Sequence, residues 1–347
     1  MATMNDVAKA ANVSVMTVSR VLNNNGYVKQ ETRAAIERAI KELDYRPNLL
    51  AKSLVTGKSN IIAYVLSDIS DQFYGSVCKG VEDTCLSGGY TALICNADAH
   101  TSVDNYIDLI IDRKLDGAIF HHLPVTKEQI HLLKEHDIQC VTIDNEIQLE
   151  DVSSIDSDDY HGAFQAVTYL HSRGYEKIAC ICGEDNRLSD EERSHQERFQ
   201  HRIWEDRTRG YMDGLKACGL ESAGIYYSRG SADMHISFEC GRSIMKEMLQ
   251  NGTIPDAIYC QSDIISMGIV NVLMEKKPSL LKEIGIIGHD GLDICNLMHP
   301  RMTTVVQPKY ELGMEATKEL LKCIETKEEP IKHKIVKSHL YIGKTTR

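Results

Sequence analysis

Three carboxylates each stand at or just beyond the end of a short apolar run. Asp144 follows VTI, Asp263 comes shortly after AIYC, and Asp290 ends IGIIGHD. Such runs are typical of buried strands, and ligands bind beside the carboxyl ends of parallel strands. A carboxylate accepts hydrogen bonds from neighbouring hydroxyl groups. These positions therefore make the three carboxylates candidates for contact with a small polar ligand.

A second set of polar side chains lies near the amino terminus. Thr17, Ser19 and Arg20 fall within VMTVSRVL, and Asn23 follows that segment directly. The guanidinium fork of arginine matches O6 and N7 of guanine, and hydroxyls can donate to phosphate oxygens. The segment is therefore a candidate for reading duplex DNA. The simpler alternative is that these are ordinary polar side chains on the solvent face of a helix.

Motifs for catalysis are missing from the sequence. Serine, histidine and aspartate are frequent, but no G-x-S-x-G elbow and no phosphate-binding loop occurs. Gly285 and Gly288 lack the spacing of a dinucleotide-binding motif. We therefore expect neither enzymatic activity nor a cofactor.

The eleven cysteines are scattered singly, apart from Cys180 and Cys182 in the run IACICG. These two would face the same side of a strand and could hold a metal, but no second pair with zinc spacing accompanies them. Buried free thiols fit the pattern better. Asp156, Asp158 and Asp159 resemble a cation site, yet they fit the polar start of a helix better. We expect no metal site.

The sequence carries no signal that would take the chain out of the cytoplasm. Its 347 residues contain no uninterrupted apolar stretch of about 18 residues, which a membrane-spanning helix would need. The amino terminus, MATMNDVAKAANVSV, lacks the basic and apolar regions of a secretory signal. We therefore expect a cytoplasmic protein that does not enter a membrane.

Charge is divided unevenly along the chain. The net charge is −11, but residues 1–60 hold nine Lys or Arg and five Asp or Glu, a net of +4 that leaves −15 for the remainder. A basic segment joined to an acidic body is typical of a DNA-binding head on a larger domain. The acidic body should also limit non-specific adhesion to DNA.

Local signals predict three short helices at the amino terminus. Thr3 and Asp6 are spaced as a capping box, Ser14 can cap a second helix over VMTVSRVL, and a third helix is expected over roughly 30–43. Two short helices joined by a tight turn are the geometry of a helix-turn-helix domain. We expect this domain over residues 1–46.

Beyond residue 46 the character of the sequence changes. Residues 47–58 predict a linker with a hinge helix that is too short to be stable alone. Over 59–347, β-rich runs alternate with helical stretches, which is typical of a doubly wound, parallel α/β sheet. The expected strands are 61–66, 90–95, 117–123, 138–143, 177–182, 257–260 and 284–289.

The number of expected strands is larger than is usual for a single sheet, so two lobes are expected. The first lobe is expected to comprise about 60–160 plus 291–320, and the second about 161–290 plus 321–347. The chain would then cross between the lobes near 155–162, near 290 and near 320.

Several of these segments together resemble the LacI/GalR family of bacterial repressors. The head carries NDVAKAANVSVMTVSRVLN and then RPNLLAKSL, and the body carries IIGHDGL and then MTTVVQPKYELGMEA. The segments occur in the family's order and spacing over essentially the whole chain. The resemblance implies an all-α helix-turn-helix head, a hinge helix, and a two-lobed body similar to periplasmic sugar-binding proteins.

The resemblance also implies which residues of the head and hinge contact DNA. Val15 and Met16 occupy positions where family members read bases, although periodicity alone predicts Val15 in the core beside Val18. Leu54 is implied to be a wedge that enters the minor groove, and the alternative is that it packs on the body. The hinge would fold only on DNA, where two copies meet. The implied DNA-binding residues are Val15, Met16, Thr17, Ser19, Arg20, Asn23, Lys52 and Leu54.

An effector site between the lobes is implied in the same way. Asp290 and Arg207 match effector-binding positions of the family, Asp263 stands in a matching place, and Asp144 is a weaker match. Asp290 and Asp263 have the alternative of capping the helices that follow them. An aromatic pair after the first strand of the body is either a wall of the site or ordinary packing. The implied effector-binding residues are Phe73, Tyr74, Asp144, Arg207, Asp263 and Asp290.

Together these features indicate a sequence-specific repressor of carbohydrate-metabolism genes. We expect a homodimer on a palindromic duplex operator, with a sugar or sugar phosphate as effector. The alternative is a global catabolite-type regulator controlled by a phosphorylated phosphocarrier protein. Ser262 and the charged segment 183–206 depart from the family pattern, and Trp204 either stacks on a ligand or anchors that segment. No leucine heptads accompany the final YIGKTTR, so no tetramerising helix is expected.

Overall fold

In the computed structural model the chain folds into two units, Met1–Ser59 and Asn60–Arg347, which we call the head and the body. The described residues are 2–22, 25–46, 57–97, 101–123, 125–145, 152–182, 195–227, 234–326 and 333–347, with backbone only over 195–202 and 234–236. Three of the predicted DNA contacts, Asn23, Lys52 and Leu54, lie outside these residues, as do residues 47–56 of the expected hinge and linker over 47–58.

Helices form the described part of the head: α1 Met4–Ala10, α2 Val15–Leu22 and α3 Gln30–Glu42. The capping box is present, because the Thr3 hydroxyl accepts from the Asp6 N–H at 3.3 Å and the Asp6 carboxylate accepts from the Thr3 N–H at 2.8 Å. Ser14 Oγ accepts from the Thr17 N–H at 3.2 Å and caps α2. These local bonds satisfy amides that a helix start leaves unpaired, so the helices begin where the sequence predicts. The buried side chains of the head are Val7, Ala8, Val18, Val21, Ile36, Ala39 and Tyr45.

The first sheet of the body comprises β1 Ile61–Leu66, β2 Thr91–Asn96, β3 Gly117–His121, β4 Gln139–Ile143, β5 Ser153–Ser157 and β11 Lys334–Val336. The strands lie in the order β11-β5-β4-β3-β1-β2, and their pairs run parallel. Packed with this sheet are α4 Gln72–Ser87, α5 Val103–Asp112, α6 Lys127–Glu135 and α12 Lys309–Thr326. Helices cover both faces, which is why β1 and β3 are almost wholly buried apolar runs.

The second sheet comprises β6 Ile178–Cys182, β7 Ile225–Tyr227, β8 Ala257–Cys260, β9 Gly285–Asp290, β10 Thr303–Val306 and β12 His339–Tyr341. Its order is β12-β10-β9-β8-β6-β7, and β12 runs antiparallel to β10. The helices of this half are α7 Asp159–Ser172, α8 His195–Ala217, α9 Met234–Asn251, α10 Asp263–Lys276 and α11 Ile294–Leu297, with a 3₁₀ helix over Pro278–Lys282. Among the residues described, no helix of either unit has both the length and the apolar character needed to cross a membrane.

The chain passes repeatedly between the two sheets. It leaves the first sheet after β5 and returns after β10, where α12 packs against β3, β4 and β5. Later, β11 joins the first sheet and β12 the second. The expected lobe boundaries are therefore wrong in part, because 291–320 includes β10 of the second sheet and 321–347 includes β11 of the first. Strands of three or four residues carry too little pattern to show which sheet they join.

The seven expected strands are confirmed to within one or two residues at their ends. The sequence did not predict β5, because SSIDS is mostly polar although all five residues are buried. The helix start expected at the nearby carboxylates is confirmed in part. Asp158 caps α7 by accepting from the His161 N–H at 3.3 Å, whereas Asp156 belongs to β5.

Helices α4 and α12 approach each other closely at two glycines. A Cβ added at Gly80 would lie 2.1 Å from the carbonyl oxygen of Tyr310, and one added at Gly313 would lie 2.2 Å from the carbonyl oxygen of Val77. Both contacts are with backbone, which cannot move aside as the end of a flexible side chain can. The close approach helps to hold α12 against the first sheet and so to set the path of the chain after β10.

We expect Gly80→Ala to lower the free energy of unfolding by about 1–3 kcal/mol, because overpacking outweighs a gain of up to about 1 kcal/mol in helix propensity. Gly75→Ala is the matched control, since Gly75 lies in the same helix and a Cβ added there would meet nothing within 4 Å. Urea unfolding followed by circular dichroism measures both variants. Equal effects of the two substitutions would contradict the close approach.

Candidate functional site

A buried arginine lies between two carboxylates at the strand ends of the second sheet. Arg207, on α8, is 4% exposed; its Nε donates to Asp159 Oδ1 at 2.7 Å, and its Nη1 lies 3.1 Å from Asp290 Oδ1. Nη1 also donates to the carbonyl oxygen of Gln261, which follows β8. The structure thus brings the predicted residues Arg207 and Asp290 together and adds Asp159, the first residue of α7.

Hydrogen bonds join this group to the end of the first sheet. Asp144 follows β4, and its Oδ1 accepts from the Ser157 N–H at 2.6 Å. The Ser157 hydroxyl lies 2.9 Å from Asp144 Oδ1 and 3.0 Å from Asp159 Oδ2, so it can donate to either carboxylate. Strand ends of both sheets therefore meet here, which is where open α/β sheets bind ligands. We call the set Asp144, Asp159, Arg207 and Asp290 the strand-end cluster.

Burial and the guanidinium act in opposite directions on the carboxylates of the cluster. Burial alone would raise the pKa of Asp159, but Arg207 and His289 outweigh it and hold that pKa well below its usual range. His289 Nε2 lies 3.2 Å from Asp159 Oδ1. For Asp290 the effect of burial prevails over that of Arg207, so its pKa is raised. Asp159 is therefore the firm partner of Arg207, whereas the ionised form of Asp290 would be stabilised by further hydrogen-bond donors.

Asp290 has an unusual backbone conformation. Its φ is +114°, outside the regions that residues other than glycine usually adopt. Gln307 Nε2 donates to Asp290 Oδ1 at 3.0 Å, and Lys309 Nζ donates to the carbonyl oxygens of Asp290 and Gly291. A strained backbone of this kind persists only where surrounding hydrogen bonds hold it in place, and it is common at ligand sites. The side chain of Asp290 is 16% exposed, and a carboxylate with these partners retains acceptor capacity for a ligand.

The predicted aromatic pair is more buried than a wall open to solvent would be. Phe73 and Tyr74 are 7% and 5% exposed, and their rings meet edge to face at 5.6 Å. The Tyr74 hydroxyl lies 2.6 Å from Ser67 Oγ and 2.8 Å from His122 Nδ1. Phe73 lies against the same imidazole at 6.1 Å, and Lys309 Nζ is 5.9 Å from its ring. These contacts favour a packing role that orients His122.

Asp263 is fully buried, and both of its oxygens already have partners in the protein. Oδ1 accepts from the Thr304 hydroxyl at 2.5 Å, and Oδ2 accepts from the Leu292 N–H at 2.8 Å. Burial raises the pKa of Asp263 to about 7. Helix α10 is capped by Ser262, which accepts from the Ile264 N–H at 3.2 Å. These contacts favour a role for Asp263 in positioning the loop after β9 rather than in touching a ligand.

Helix α2 presents predicted base-contacting residues on its outer face. Met16 is 65% exposed and Val15 is 39% exposed, whereas Val18 and Val21 are buried. The core position that periodicity predicts for Val15 is therefore wrong, because Val18 and Val21 fill the space toward α1 and α3. Arg20 is exposed. The exposed or partly exposed members of the predicted set are Val15, Met16, Thr17, Ser19 and Arg20.

Sequence analysis did not assign several residues that lie beside the cluster to the site. The signal that would have found them is their position, because each stands at the carboxyl end of a strand or opens the segment that follows it. His289 and Lys309 lie in segments that carry the family resemblance but were not singled out there, and Asp159 was weighed as part of a cation site and then interpreted as part of a helix start. These residues are His121, His122, Asp159, Gln261, His289 and Lys309.

Two family models match the chain. The one described as "Bacterial regulatory proteins, lacI family" matches residues 3–48, and the one described as "Periplasmic binding proteins and sugar binding domain of LacI family" matches residues 59–345. The chain belongs to the LacI family. This LacI-family chain is thus a DNA-binding transcriptional regulator with a helix-turn-helix head.

Individual relatives agree with this assignment. The HTH-type transcriptional repressor CytR of Escherichia coli (strain K12) is 30% identical over 319 residues, 91% of this chain and 87% of CytR. The ribose operon repressor of Halalkalibacterium halodurans is 32% identical over 351 residues, 100% of this chain and 98% of that repressor. The lac repressor dimer bound to operator and the anti-inducer ONPF matches with a TM-score of 0.79 and 21% identity, over 99% of each chain. That likeness confirms the expected α/β fold, and the named relatives are regulators rather than enzymes.

The raised pKa of Asp263 makes stability depend on pH. Because this pKa rises from 3.8 to about 7 on folding, the resulting stabilisation is complete below about 3.8 and is lost as the pH rises through about 7. We expect Asp263→Asn, which keeps an acceptor for the Leu292 N–H, to reduce that decline by on the order of 4 kcal/mol. Urea unfolding at a series of pH values gives the free energy of unfolding of each variant as a function of pH. The exposed residue Asp293 supplies the control, Asp293→Asn, and parallel curves for the wild type and Asp263→Asn would contradict the assignment.

Proposed function

We propose that this LacI-family chain represses genes of carbohydrate metabolism and is controlled by a small sugar-like effector at the strand-end cluster. The observation that carries the proposal is Arg207 held between Asp159 and Asp290, beside strand ends from both sheets. Carboxylates and a guanidinium present acceptors and donors in fixed directions, as recognition of adjacent hydroxyls requires. The ribose operon repressor among the relatives supports a sugar as the class of effector.

An aromatic ring beside the cluster supports the same class of ligand. The ring of Trp204 lies 5.2 Å from the guanidinium carbon of Arg207, and the Trp204 side chain is only half-buried. An aromatic face packs well against the C–H face of a sugar ring. The hydroxyls at the edge of that ring would then be directed toward Asp290 and its neighbours. Of the two roles considered for Trp204, stacking on a ligand is the one we propose.

On the DNA side, α2 is the proposed reading helix. Exposed Met16 suits contact with a thymine methyl, and exposed Arg20 suits a bidentate contact with guanine. A palindromic operator requires two heads related by two-fold symmetry, so the acting form is a homodimer. We further propose that it works in the cytoplasm and catalyses no reaction.

Selection of bound sequences from random duplex DNA tests the DNA side. The wild type is expected to select a palindrome. Arg20→Ala should lose discrimination of about 1–3 kcal/mol at one base pair per half-site, because a bidentate arginine–guanine contact is removed. Arg38→Ala, which removes an exposed arginine from α3, is the matched control and should keep the wild-type preference. A preference unchanged in Arg20→Ala, or no enrichment by the wild type, would count against the assignment.

Tryptophan fluorescence tests the effector side, since Trp204 is the chain's only tryptophan and lies beside Arg207. In a panel of sugars and sugar phosphates, one compound is expected to give a saturable change and to alter operator affinity. Asp290→Asn should weaken its binding by at least about tenfold, because hydrogen bonds to a charged acceptor are lost. Asp293→Asn, at an exposed position, should not. Operator binding without any response to the panel would contradict small-molecule control and favour a protein partner as the signal.

A further inference from the structure

Three buried atoms without hydrogen-bond partners face one another at the end of the first sheet. They are His121 Nε2, His122 Nε2 and Asp144 Oδ2, and no partner for them occurs in the part of the chain that the structure describes. The side-chain exposures are 0% for His121, 13% for His122 and 2% for Asp144. Buried polar atoms are nearly always paired, so three unpaired ones in one place indicate a missing ligand.

The separations of these atoms suit a shared ion better than direct hydrogen bonds. Asp144 Oδ2 lies 3.8 Å from His121 Nε2 and 3.7 Å from His122 Nε2, and the three side chains offer ligand atoms that lie within 4.8 Å of one another. A hydrogen bond would need about 2.7–3.2 Å, and one oxygen would have to serve both histidines. Ligands about 2.0–2.2 Å from a tetrahedral ion lie about 3.4 Å apart. Side-chain rotations that shorten the 3.7 and 3.8 Å separations by a few tenths of an ångström would reach that spacing.

The other ring nitrogen of each histidine is already held. The Tyr64 hydroxyl lies 2.6 Å from His121 Nδ1, and the Tyr74 hydroxyl lies 2.8 Å from His122 Nδ1 and 2.6 Å from Ser67 Oγ. When Nδ1–H donates to the tyrosine oxygen, Nε2 keeps its lone pair for a metal. Metal-bound histidines usually donate their second nitrogen in this way, which fixes the tautomer and the orientation of the ring.

Rigid backbone positions the three side chains. Strands β3 and β4 are paired neighbours, with His121 opposite Ile143, so the histidines and Asp144 stand at adjacent strand ends. His122 and Asp144 have φ of +52° and +46°, in the left-handed region that residues other than glycine rarely adopt. Such strain is common at ligand sites. Burial holds the pKa of both histidines at about 3, so the imidazoles are neutral, as metal binding requires.

We propose that His121, His122 and Asp144 bind a divalent transition-metal ion. Two imidazoles and a carboxylate near tetrahedral spacing fit Zn²⁺, whereas Mg²⁺ and Ca²⁺ favour oxygen ligands. Three protein ligands leave a further coordination position for a water or for an oxygen of a bound molecule. The site goes beyond the proposed function and does not depend on it, although Asp144 is shared with the strand-end cluster.

Cobalt(II) is the probe that tests the site, because its visible spectrum reports the type and geometry of its ligands. The full chain is freed of metal with a chelator under reducing conditions and then titrated with Co²⁺. We expect one Co²⁺ per chain, visible bands of tetrahedral nitrogen and oxygen ligation, and displacement by Zn²⁺. The chain has eleven free cysteines, so a cobalt–thiolate band is the competing outcome. Thiolate ligation alone, or no saturable binding, would overturn the proposal.

Substitutions locate the ion. His122→Ala and Asp144→Ala each remove a ligand and should abolish the visible bands. Tyr74→Phe keeps all three ligands and removes only an outer partner, so it should weaken Co²⁺ binding by about tenfold. His131→Ala, at an exposed position of α6, is the matched control and should bind Co²⁺ as the wild type does.

Two comparisons keep the proposal open to refutation. If the ligand variants fail to fold, as judged by circular dichroism, an unchanged Co²⁺ affinity in Tyr74→Phe would by itself overturn it. Asp290→Asn separates the metal from the effector, because this variant should bind Co²⁺ like the wild type while its response to sugar is weakened. A sugar response that persists in a wild type unable to bind Co²⁺ would remove the metal site and leave the proposed function intact.

Discussion

A buried guanidinium between two carboxylates is favourable only when the geometry of all three groups is fixed. Removing such ions from water costs several kcal/mol each, and direct, well-directed hydrogen bonds must offset that cost. Arg207 meets this condition because Asp159, Asp290 and the carbonyl of Gln261 all reach its guanidinium. Asp159 begins α7, where the chain has just left the first sheet, whereas Asp290 ends a central strand of the second. The ion pairs therefore require the crossing and the second sheet to be correctly placed together.

The surroundings of Asp290 show how that placement is maintained. Gln307, which follows β10, binds the side chain of Asp290, and Lys309, the first residue of α12, binds its backbone carbonyl. Asp263 holds the next loop through the Leu292 N–H. The segment of Gln307 and Lys309, which returns the chain to the first sheet, thus also holds the strained residue Asp290 of the second sheet in place. These contacts both direct the chain back to the first sheet and hold Asp290 in place. A change in the orientation of one lobe relative to the other would therefore alter the position of the Asp290 carboxylate, which we assign to the effector site.

The two sheets of the body differ in how far the buried polar groups at their strand ends are paired. At the second sheet, Arg207 and Asp159 satisfy one another inside the protein. At the first sheet, the Nε2 atoms of His121 and His122 and one oxygen of Asp144 lie within 4.8 Å of one another and lack hydrogen-bond partners among the described residues. A site that is internally satisfied is a preorganised frame, whereas one with unpaired buried atoms gains stability only when something binds. The first sheet therefore contributes unpaired binding groups. At the second sheet Arg207 and its carboxylates are paired, and His289 Nε2, 3.2 Å from Asp159 Oδ1, is a buried atom without a hydrogen-bond partner among the described residues.

What the sequence by itself determined is what depends on neighbours along the chain. The capping box at Thr3, the cap at Ser14 and the alternation of apolar runs with helices act over a few residues, so the head helices and seven strands were predicted correctly. Tertiary structure decided the rest. Polar β5 and short β10 and β11 are strands only because distant backbone pairs with them. His122 and Asp144 meet because parallel pairing brings adjacent strand ends together, and Val15 is exposed because other valines fill the core. Contacts between residues far apart in sequence leave no periodic trace in it, which is why only the folded chain reveals them.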